Sequence, residues 1–236
     1  MSGVLYMIPC PIAEGEPYDV LPAANGDVLR RVDYYVVENV RTARRFLSRA
    51  GVGRPIDELT FAELNEHTDP RAVEGLLRPV LEGKDCGVIS EAGLPGVADP
   101  GAAIVAAAHR HGVKVVPLVG PSSILMALMA SGQNGQSFAF NGYLPVKPDQ
   151  RGQALRKFEK RALSEGQAQI FIEAPYRNVK LMEDMLRTLS PETILTVAMD
   201  ITGPEEYVAS AAVKVWRSRK MPDINKRPAI FILGRA

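Results

Sequence analysis

Cysteine is scarce in this sequence, and that scarcity limits what can hold the fold together. Only Cys10 and Cys86 occur among 236 residues, which is too few for a disulfide framework. Both adjoin apolar, strand-like runs, so we expect them to be reduced and buried. The opening segment, MSGVLYMIP, lacks the charged region with which a secretory signal peptide begins. We therefore expect a cytoplasmic protein.

Long apolar runs and an excess of charge are also missing. No apolar run approaches the ~20 residues that a membrane-spanning helix needs. The net charge is +1, so no overall field draws the protein to nucleic acid or to a membrane. Any contact with RNA must then come from a local basic patch. The three histidines show none of the spacings typical of metal ligands, and we expect neither a metal nor a membrane partner.

The first half of the chain alternates short β-like runs with helical segments. Strands are predicted at 4–8, 34–40, 86–90 and 113–119, with a long loop after the first. Helical patterns stop at Gly51, Gly83, Gly112 and Gly132, because glycine is the residue that most often follows a helix. Near-continuous apolar strands that alternate with helices predict an α/β fold with a doubly wound parallel sheet, covered by helices on both faces.

The second half has a different pattern. It holds five strand candidates, SFAFNGY, AQIFIEA, TILTVAM, EYVASAAVKVW and RPAIFILG, and two substantial helices at roughly 149–165 and 176–189. The last two strands follow each other with no predicted helix between them, which favours a mixed sheet. We divide the chain into two α/β domains, 1–120 and 121–236, and expect a ligand in the cleft between them.

The segment ISEAGLPGVADPG, residues 89–101, follows a predicted buried strand. Ligands of open parallel sheets collect at the carboxyl ends of strands, where this loop and VGPSS both lie. Its glycines let a ligand contact bare backbone, and Pro95 and Pro100 stiffen it. The spacing matches neither G-x-G-x-x-G nor the P-loop, and Glu91 and Asp99 would repel a pyrophosphate. The loop favours a cationic or zwitterionic ligand, although two tight turns that bind nothing would have the same composition.

Four motifs together resemble the tetrapyrrole methylase superfamily, whose members use S-adenosylmethionine. They are Ser90–Gly101, VPLVGPS at 116–122, GYLPVK at 142–147 and EAPYR at 173–177. They are most similar to the branch of bacterial methyltransferases that modify a ribose 2′-hydroxyl of small-subunit ribosomal RNA. That branch typically has S-D-A-G-T-P-x-x-S-D-P-G, V-x-P-x-P-G-P-S, G-F-L-P-x-K and E-S-P-H-R, in the same order. The chain is identified as a divergent member of this branch.

The resemblance implies two α/β domains with S-adenosylmethionine held between them, and a homodimer. The residues implied in binding this cofactor lie at the end of the first strand, in the two loops, and on two strands of the second half. They are Pro9, Cys10 and Pro11; Ser90, Glu91, Ala92, Gly93, Pro95, Val97, Ala98 and Asp99; Gly120, Pro121 and Ser122; and Tyr143 and Phe171.

The sequence departs from the branch at three places. T-P-I-G-N-L reads C-P-I-A-E-G, so Ala13 replaces a glycine. E-D-T-R reads E-N-V-R, which puts Asn39 where an aspartate is usual. R-E-L-T reads M-D-I-T, so Met199 replaces the arginine. We expect these segments to face the methyl acceptor, and the sequence therefore defines the donor better than the acceptor.

A ribose hydroxyl is a weak nucleophile near neutral pH, so its methylation calls for a base as well as for alignment. Carboxylates at strand ends are the candidates, and a helix cap or an ion-pair partner is the alternative for each: Glu38, Glu173, Asp200 and Glu206. Candidates for RNA contacts are Lys147 and Arg177 in the matched motifs, and Arg41, Arg45 and Arg49, which share a helix face. An ordinary solvated face is the alternative for these three arginines. Arg151, Arg156, Lys157, Lys160 and Arg161 form a second basic set.

Two other functions stay open from the residues. A methyltransferase with a small-molecule acceptor, such as a tetrapyrrole-like macrocycle, would usually carry a G-x-G-x-G first loop, which this chain lacks. A non-catalytic module that binds S-adenosylmethionine would account for the substitutions at Asn39 and Met199. Leu125, Met126 and Met129 recur at helical spacing and predict a helix that faces the core.

Overall fold

The structure is a computed structural model, and it describes residues 2–235. The chain divides into two compact units between Ser122 and Ser123. The sequence predicted this division two residues earlier, after residue 120. Each unit has its own sheet and its own core.

The first unit is a parallel sheet with helices between its strands. The elements, in chain order, are β1 (Val4–Ile8), α1 (Ala23–Arg31), β2 (Tyr34–Val37), α2 (Val40–Ala50), β3 (Thr60–Glu63), α3 (Val73–Leu81), β4 (Cys86–Ile89), α4 (Ala102–Arg110) and β5 (Lys114–Pro117). The strand order is β3-β2-β4-β1-β5, and every neighbouring pair is parallel. The predicted parallel sheet is confirmed.

Both faces of this sheet are buried, as the continuous apolar strands predicted. Leu29 of α1 and Leu47 of α2 pack on one face against Tyr35 of β2. Leu77 of α3 and Ile104 of α4 pack on the other face. Cys10 and Cys86 are free and buried, as expected. Because both faces are covered, the edge where the strands end is the part of the sheet left for a site.

The second unit is a mixed sheet, which also confirms the prediction. Its elements are α5 (Ser123–Ser131), β6 (Phe138–Tyr143), α6 (Pro148–Glu165), β7 (Ala168–Ile172), α7 (Asn178–Thr188), β8 (Ile194–Met199), β9 (Tyr207–Ala212), α8 (Val213–Ser218) and β10 (Ala229–Gly234). The strand order is β6-β7-β10-β8-β9. The β6–β7 pair is parallel and the other three pairs are antiparallel.

Four sequence predictions were wrong in detail. The segment predicted as a long loop contains α1, which starts after Pro22 although Asn25, Gly26 and Asp27 weaken its helical pattern. The short, half-exposed strand β3 was missed. The helix α8 lies between the last two strands, because the run EYVASAAVKVW leaves the sheet at Val213. Finally, α5 does not turn all its apolar side chains inward, since Leu125 is 49% and Met129 79% exposed.

Candidate functional site

Three loops meet at the carboxyl edge of the first sheet. The loop after β1 pairs with the loop after β4, where Cys10 N donates to Gly93 O at 2.9 Å and Gly93 N to Cys10 O at 3.1 Å. The loop after β5 joins them, because Gly120 lies against the ring of Pro9. Asn25, at the start of α1, donates its side-chain amide to Val119 O at 2.9 Å. We call residues 9–11, Glu38, 90–101 and 118–122 the carboxyl-edge site.

The topology favours a ligand at this edge. Strands β1 and β4 are neighbours, yet the helices that follow them, α1 and α4, pack on opposite faces of the sheet. The two loops therefore leave the sheet in opposite directions, which is the arrangement at which open α/β sheets bind their ligands.

The loop 90–101 is held in shape by one carboxylate. Asp99 Oδ1 accepts the backbone N–H of Gly96 at 2.8 Å and that of Gly101 at 2.6 Å. A Cβ at residue 101 would lie 2.8 Å from this oxygen, so the closure requires glycine there. Ala98 has a φ of 62°, a conformation that costs a non-glycine residue about 1–3 kcal/mol. The loop is a built feature of the fold and is more than a connection between β4 and α4.

A small pocket opens between the ends of β2 and β4. It is shallow and partly open to solvent. Its polar lining comes from Glu38, Ser90 and Asp99, above an apolar floor that includes Leu64 and Val88. The second oxygen of Asp99, Oδ2, is buried and accepts no hydrogen bond from any residue in 2–235. Such an oxygen is expected to accept a donor group from a ligand or from water, since a buried polar atom rarely stays unpaired.

The charges at this edge are negative. Burial raises the pKa of Glu38. The backbone N–H of Glu91, which lies 3.3 Å from Glu38 Oε2, opposes this rise. The nearby carboxylates of Asp99, Glu91 and Glu66 raise the pKa further. Burial also raises the pKa of Asp99, against the backbone N–H groups of Gly96 and Gly101 and the nearby hydroxyl of Ser90. That hydroxyl donates to Ala92 O at 3.2 Å and leaves Oδ2 without a hydrogen bond. A cluster of acids that resist ionisation suits a positively charged ligand and disfavours an anion.

The structure places the cofactor candidates of the first half together, within the carboxyl-edge site. Cys10, Ser90, Gly93, Pro95 and Pro121 are buried in its walls. Pro9 is also buried, beside Gly120. The other candidates are at least partly exposed: Pro11, Glu91, Ala92, Val97, Ala98, Asp99, Gly120 and Ser122. Asn25 and Leu64 were missed by the sequence analysis, since they contact the site through tertiary packing and belong to no motif.

Asn39 keeps the structural role that an aspartate could have at its position. Its Oδ1 accepts the backbone N–H of Arg41 at 2.9 Å and that of Thr42 at 3.2 Å, which caps α2. An amide oxygen caps a helix about as well as a carboxylate does, so this departure from the branch leaves the start of α2 intact.

The predicted arginine face on α2 is exposed. Arg41 and Arg45 form no ion pair with any other residue from 2 to 235 that the structure describes. Arg49 donates to Gly15 O and lies 3.6 Å from a carboxylate oxygen of Glu16. Two of the three side chains are thus left to contact a phosphate.

The acids predicted in the second unit have partners within that unit. Glu173 is buried, and its Oε1 accepts from Arg177 Nε at 2.9 Å and from the backbone N–H of Ala174 at 2.7 Å. Asp200, just after β8, accepts from Arg227. Glu206 accepts the backbone N–H of Thr202 at 2.7 Å. These contacts fit the alternative that the sequence left open, namely caps and ion pairs.

The remaining candidates of the second unit differ sharply in exposure. Phe171 has no exposed surface and packs in the core, so its side chain offers nothing to a ligand in this structure. Tyr143 is 62% exposed, and Lys147 is exposed at the start of α6. Arg151, expected in a basic surface set, is buried: it donates from Nε to Asp184 Oδ2 at 2.8 Å and from a terminal nitrogen to Val146 O at 2.8 Å.

Comparison with known proteins assigns the family. The family model described as tetrapyrrole (corrin/porphyrin) methylases matches residues 19–214. The chain belongs to this family. The resemblance inferred from the four motifs is thereby confirmed, together with the fold of two α/β units.

Curated relatives of this tetrapyrrole methylase cover nearly its whole length. It is 30% identical to "Ribosomal RNA small subunit methyltransferase I" of Xylella fastidiosa over 98% of this chain and 80% of the relative. It is 35% identical to the protein of the same name from Vibrio cholerae over 87% of this chain and 67% of the relative. These similarities lie in the branch that the motifs indicated.

A solved structure supports the same fold. The uroporphyrin-III C-methyl transferase from Thermus thermophilus, complexed with S-adenyl homocysteine, superposes with a TM-score of 0.58 at 19% identity, covering 98% of this chain and 97% of that one. Within residues 2–235, no helix combines the length and apolarity needed to cross a membrane. In the same range, no three metal-ligating side chains come together as a potential metal site.

Proposed function

We propose that this tetrapyrrole methylase is an S-adenosylmethionine-dependent methyltransferase that modifies ribosomal RNA at a ribose 2′-hydroxyl. The observation that carries the proposal is the similarity to relatives named as ribosomal RNA methyltransferases over 98% of this chain. The protein then acts in the cytoplasm, where ribosomal RNA is the acceptor.

The residues of the carboxyl-edge site fit this cofactor. S-adenosylmethionine supplies a methyl group on a positively charged sulfur, and it also carries an ammonium group. The carboxylates of Glu38, Glu91 and Asp99 match these positive charges. The glycines of loop 90–101 leave backbone groups open to a ligand, and the unpaired Oδ2 of Asp99 can accept a hydrogen bond from it. We assign the cofactor to Pro9–Pro11, loop 90–99 and Gly120–Ser122, with Tyr143 as a further candidate.

Glu38 is the best candidate for the base that accepts the proton of the ribose hydroxyl. It lines the pocket, and the structure describes no cationic group paired with it. Its raised pKa brings its proton affinity closer to the working pH, which favours general-base catalysis. Glu173 and Asp200, in contrast, already have arginine partners. They are positioning groups in this proposal.

Basic side chains supply contacts for RNA phosphates. Arg41 and Arg45 are exposed on α2, which starts two residues after Glu38. In the second unit, Lys147 is exposed at the start of α6, and Arg177, paired with Glu173, is a weaker candidate. Because the net charge is only +1, such local groups must provide the attraction.

We further propose that the protein is a homodimer. The argument is the apolar side of α5, where Leu125 and Met129 are exposed one helical turn apart while the helix packs against β9 and β10. Burial of this side by a second copy would remove it from water. Light scattering of wild type and of Met129→Glu tests this: a wild-type mass equal to one chain would refute the dimer.

The decisive experiment for the function is transfer of labelled methyl from S-adenosylmethionine to isolated small ribosomal subunits, free ribosomal RNA and a porphyrinoid extract. Label in ribose of RNA supports the proposal. Label in the extract alone supports the small-molecule alternative, since the family is described as methylases of tetrapyrroles. Calorimetry with S-adenosylhomocysteine is run in parallel, and binding without transfer to any acceptor would indicate a non-catalytic module.

A further inference from the structure

We infer that Tyr143, Tyr176, Arg177 and Lys147 form an aromatic platform on which unpaired bases of single-stranded RNA stack. This inference rests on the proposed RNA acceptor and adds the form in which that RNA is recognised. It also gives a role to Tyr176, which lies in the EAPYR motif but was not among the predicted site residues.

The two tyrosines lie at the ends of neighbouring strands. Tyr143 is the last residue of β6 and is the register partner of Ile172, the last residue of β7. Tyr176 lies in the short 3-10 helix Pro175–Arg177 that follows β7. They are 62% and 68% exposed, whereas Tyr34 and Tyr35 of the first unit are buried. Both rings follow neighbouring strands, and both act electrostatically on Arg177. Exposed aromatic rings of this kind offer stacking surfaces that a folded core does not use.

Arg177 contacts two groups, a carboxylate and an aromatic ring. Its guanidinium donates to Glu173 Oε1 at 2.6 and 2.9 Å, and its central carbon lies 5.4 Å from the centre of the Tyr176 ring. The adjacent Glu173, Tyr176 and Tyr143 raise the pKa of Arg177, although burial slightly opposes this. Because Glu173 already neutralises much of its charge, Arg177 serves mainly as a planar stacking partner, a role that a guanidinium performs well.

Lys147 supplies the free positive charge. It is exposed, and the structure describes no ion pair for it among residues 2–235. An ammonium group four residues after an exposed tyrosine suits a nucleotide chain, in which a phosphate is linked to every base.

The loop between Tyr143 and Lys147 is fixed by one buried side chain and by hydrogen bonds from α6. Leu144 is buried, and Arg151 donates to Pro145 O at 3.3 Å and to Val146 O at 2.8 Å. Pro145, Pro148 and Pro175 restrict the backbone further. The platform is therefore largely preorganised, so that little conformational entropy is lost when a base stacks on it.

The platform selects single strands. In duplex RNA the base faces are covered by their neighbours, and only sugar and phosphate groups are presented outward. Stacking on a tyrosine therefore requires a base that has left the helix. We expect the acceptor to be a loop or another unpaired segment of the ribosomal RNA.

Binding of labelled RNA by fluorescence anisotropy tests the inference, with a single-stranded ribosomal oligonucleotide and its duplex as the two probes. Tyr143→Leu and Tyr176→Leu should each weaken single-strand binding by about 5- to 150-fold, the range found for loss of one stacked base, whereas Tyr→Phe should retain it. Duplex binding should not change. Val146→Ala, at an exposed aliphatic side chain of the same loop, is the control for the tyrosine variants. Lys157→Ala, at an exposed lysine on α6, is the control for Lys147→Ala.

Other outcomes would overturn the inference. Unchanged single-strand affinity in the double Tyr→Leu variant would do so directly. A loss of S-adenosylhomocysteine binding in that variant would make Tyr143 a cofactor contact, and a change of mass in light scattering would assign the surface to a second copy. If wild type binds no RNA and labels none, the proposed function fails as well. If wild type labels RNA and the variants do so with unchanged KM, only the platform fails.

Discussion

Gly120 lies so close to Pro9 that a methyl group at residue 120 would be 2.3 Å from the proline Cβ. This contact joins the loops after β1 and β5, both of which belong to the carboxyl-edge site. Gly120→Ala must push the two loops apart. We expect a loss of about 1–3 kcal/mol in the free energy of unfolding and a weaker affinity for S-adenosylhomocysteine.

Urea unfolding and calorimetry measure these two effects. Gly75→Ala is the matched control in the same unit, because residue 75 lies in α3 with open space around its Cβ position. Alanine there should be neutral or stabilising by up to about 1 kcal/mol. Equal behaviour of the two variants would mean that the contact between the loops is unimportant.

Glu38→Gln should abolish most methyl transfer and preserve cofactor binding. The amide can still accept the N–H of Glu91, but it cannot take a proton from the acceptor hydroxyl. A fall in kcat of about 10²- to 10⁴-fold is expected in the labelled-methyl assay. Glu63→Gln, at the exposed end of the neighbouring strand β3, is the control. A kcat within twofold of wild type for Glu38→Gln would exclude Glu38 as the base.

The raised pKa of Glu38 also predicts how stability depends on pH. Below the ordinary pKa of glutamate, roughly 4.3, the carboxyl group is protonated in the folded and unfolded states alike. As the pH rises from that value through the raised folded pKa, the unfolded state ionises first and stability is lost. Glu38→Gln stays neutral, so it should gain stability relative to wild type between pH 4 and pH 8. A stability difference between variant and wild type that does not shift in favour of the variant from pH 4 to pH 8 would contradict this.

Asp99 is expected to have two separable roles. Asp99→Ala removes the acceptor of two backbone N–H groups and should cost about 2–4 kcal/mol in unfolding experiments. Asp99→Asn keeps one oxygen for those groups and should unfold much like wild type. Its affinity for S-adenosylmethionine should nevertheless fall, because the unpaired Oδ2 becomes an NH₂ group. Wild-type affinity in Asp99→Asn would mean that this oxygen does not contact the cofactor.

The buried pair of Arg151 and Asp184 should be costly to break. Burial alone would raise the pKa of Asp184, but the hydrogen bond and charge of Arg151 outweigh it, so the pKa is lowered. Arg151→Met leaves Asp184 without its main buried partner and should lower the free energy of unfolding by about 3–5 kcal/mol. Arg156→Met, exposed on the same helix, should change it by less than about 0.5 kcal/mol. Chemical denaturation distinguishes the two; a small effect for Arg151→Met would show that Lys180 and Arg187 suffice.

The architecture was accessible from the sequence because its signals are redundant. Residues 34–37 and 86–89 are continuous apolar runs, and such runs occur in parallel strands that are buried on both faces. The helix stops at Gly51 and Gly112 were correct because both residues adopt a positive φ, which glycine takes at least cost. Local chemistry determines these features, so they can be read without knowledge of contacts.

The missed elements lack such local signals. Strand β3 has the sequence TFAE and lies at the sheet edge, where half of its side chains are exposed. Helix α1 contains glycine and two small polar residues, and tertiary packing of Val28 and Leu29 stabilises it. The exposed Met129 was misjudged for a related reason: helical spacing shows which residues share a face, but not what covers that face.

The candidate site also combines features that the local sequence reveals with features that it does not. The loops of the carboxyl-edge site could be located from the sequence because their unusual backbone requires glycine and proline. Roles of charged groups depend on partners far along the chain. Arg151 was expected on the surface, yet its guanidinium is buried against Asp184, 33 residues later. A charge run cannot reveal such pairing, because the partner belongs to another helix.

The strand order has a consequence for synthesis of the protein. Within the described part of the chain, strand β1 pairs with β4 and β5 alone, whose register partners begin at Cys86 and Lys114. In the second sheet, β10 lies between β7 and β8. During translation, β1 therefore stays unpaired until β4 and β5 have been synthesised. A nascent chain that stops before residue 86 would expose this hydrophobic strand to chaperones.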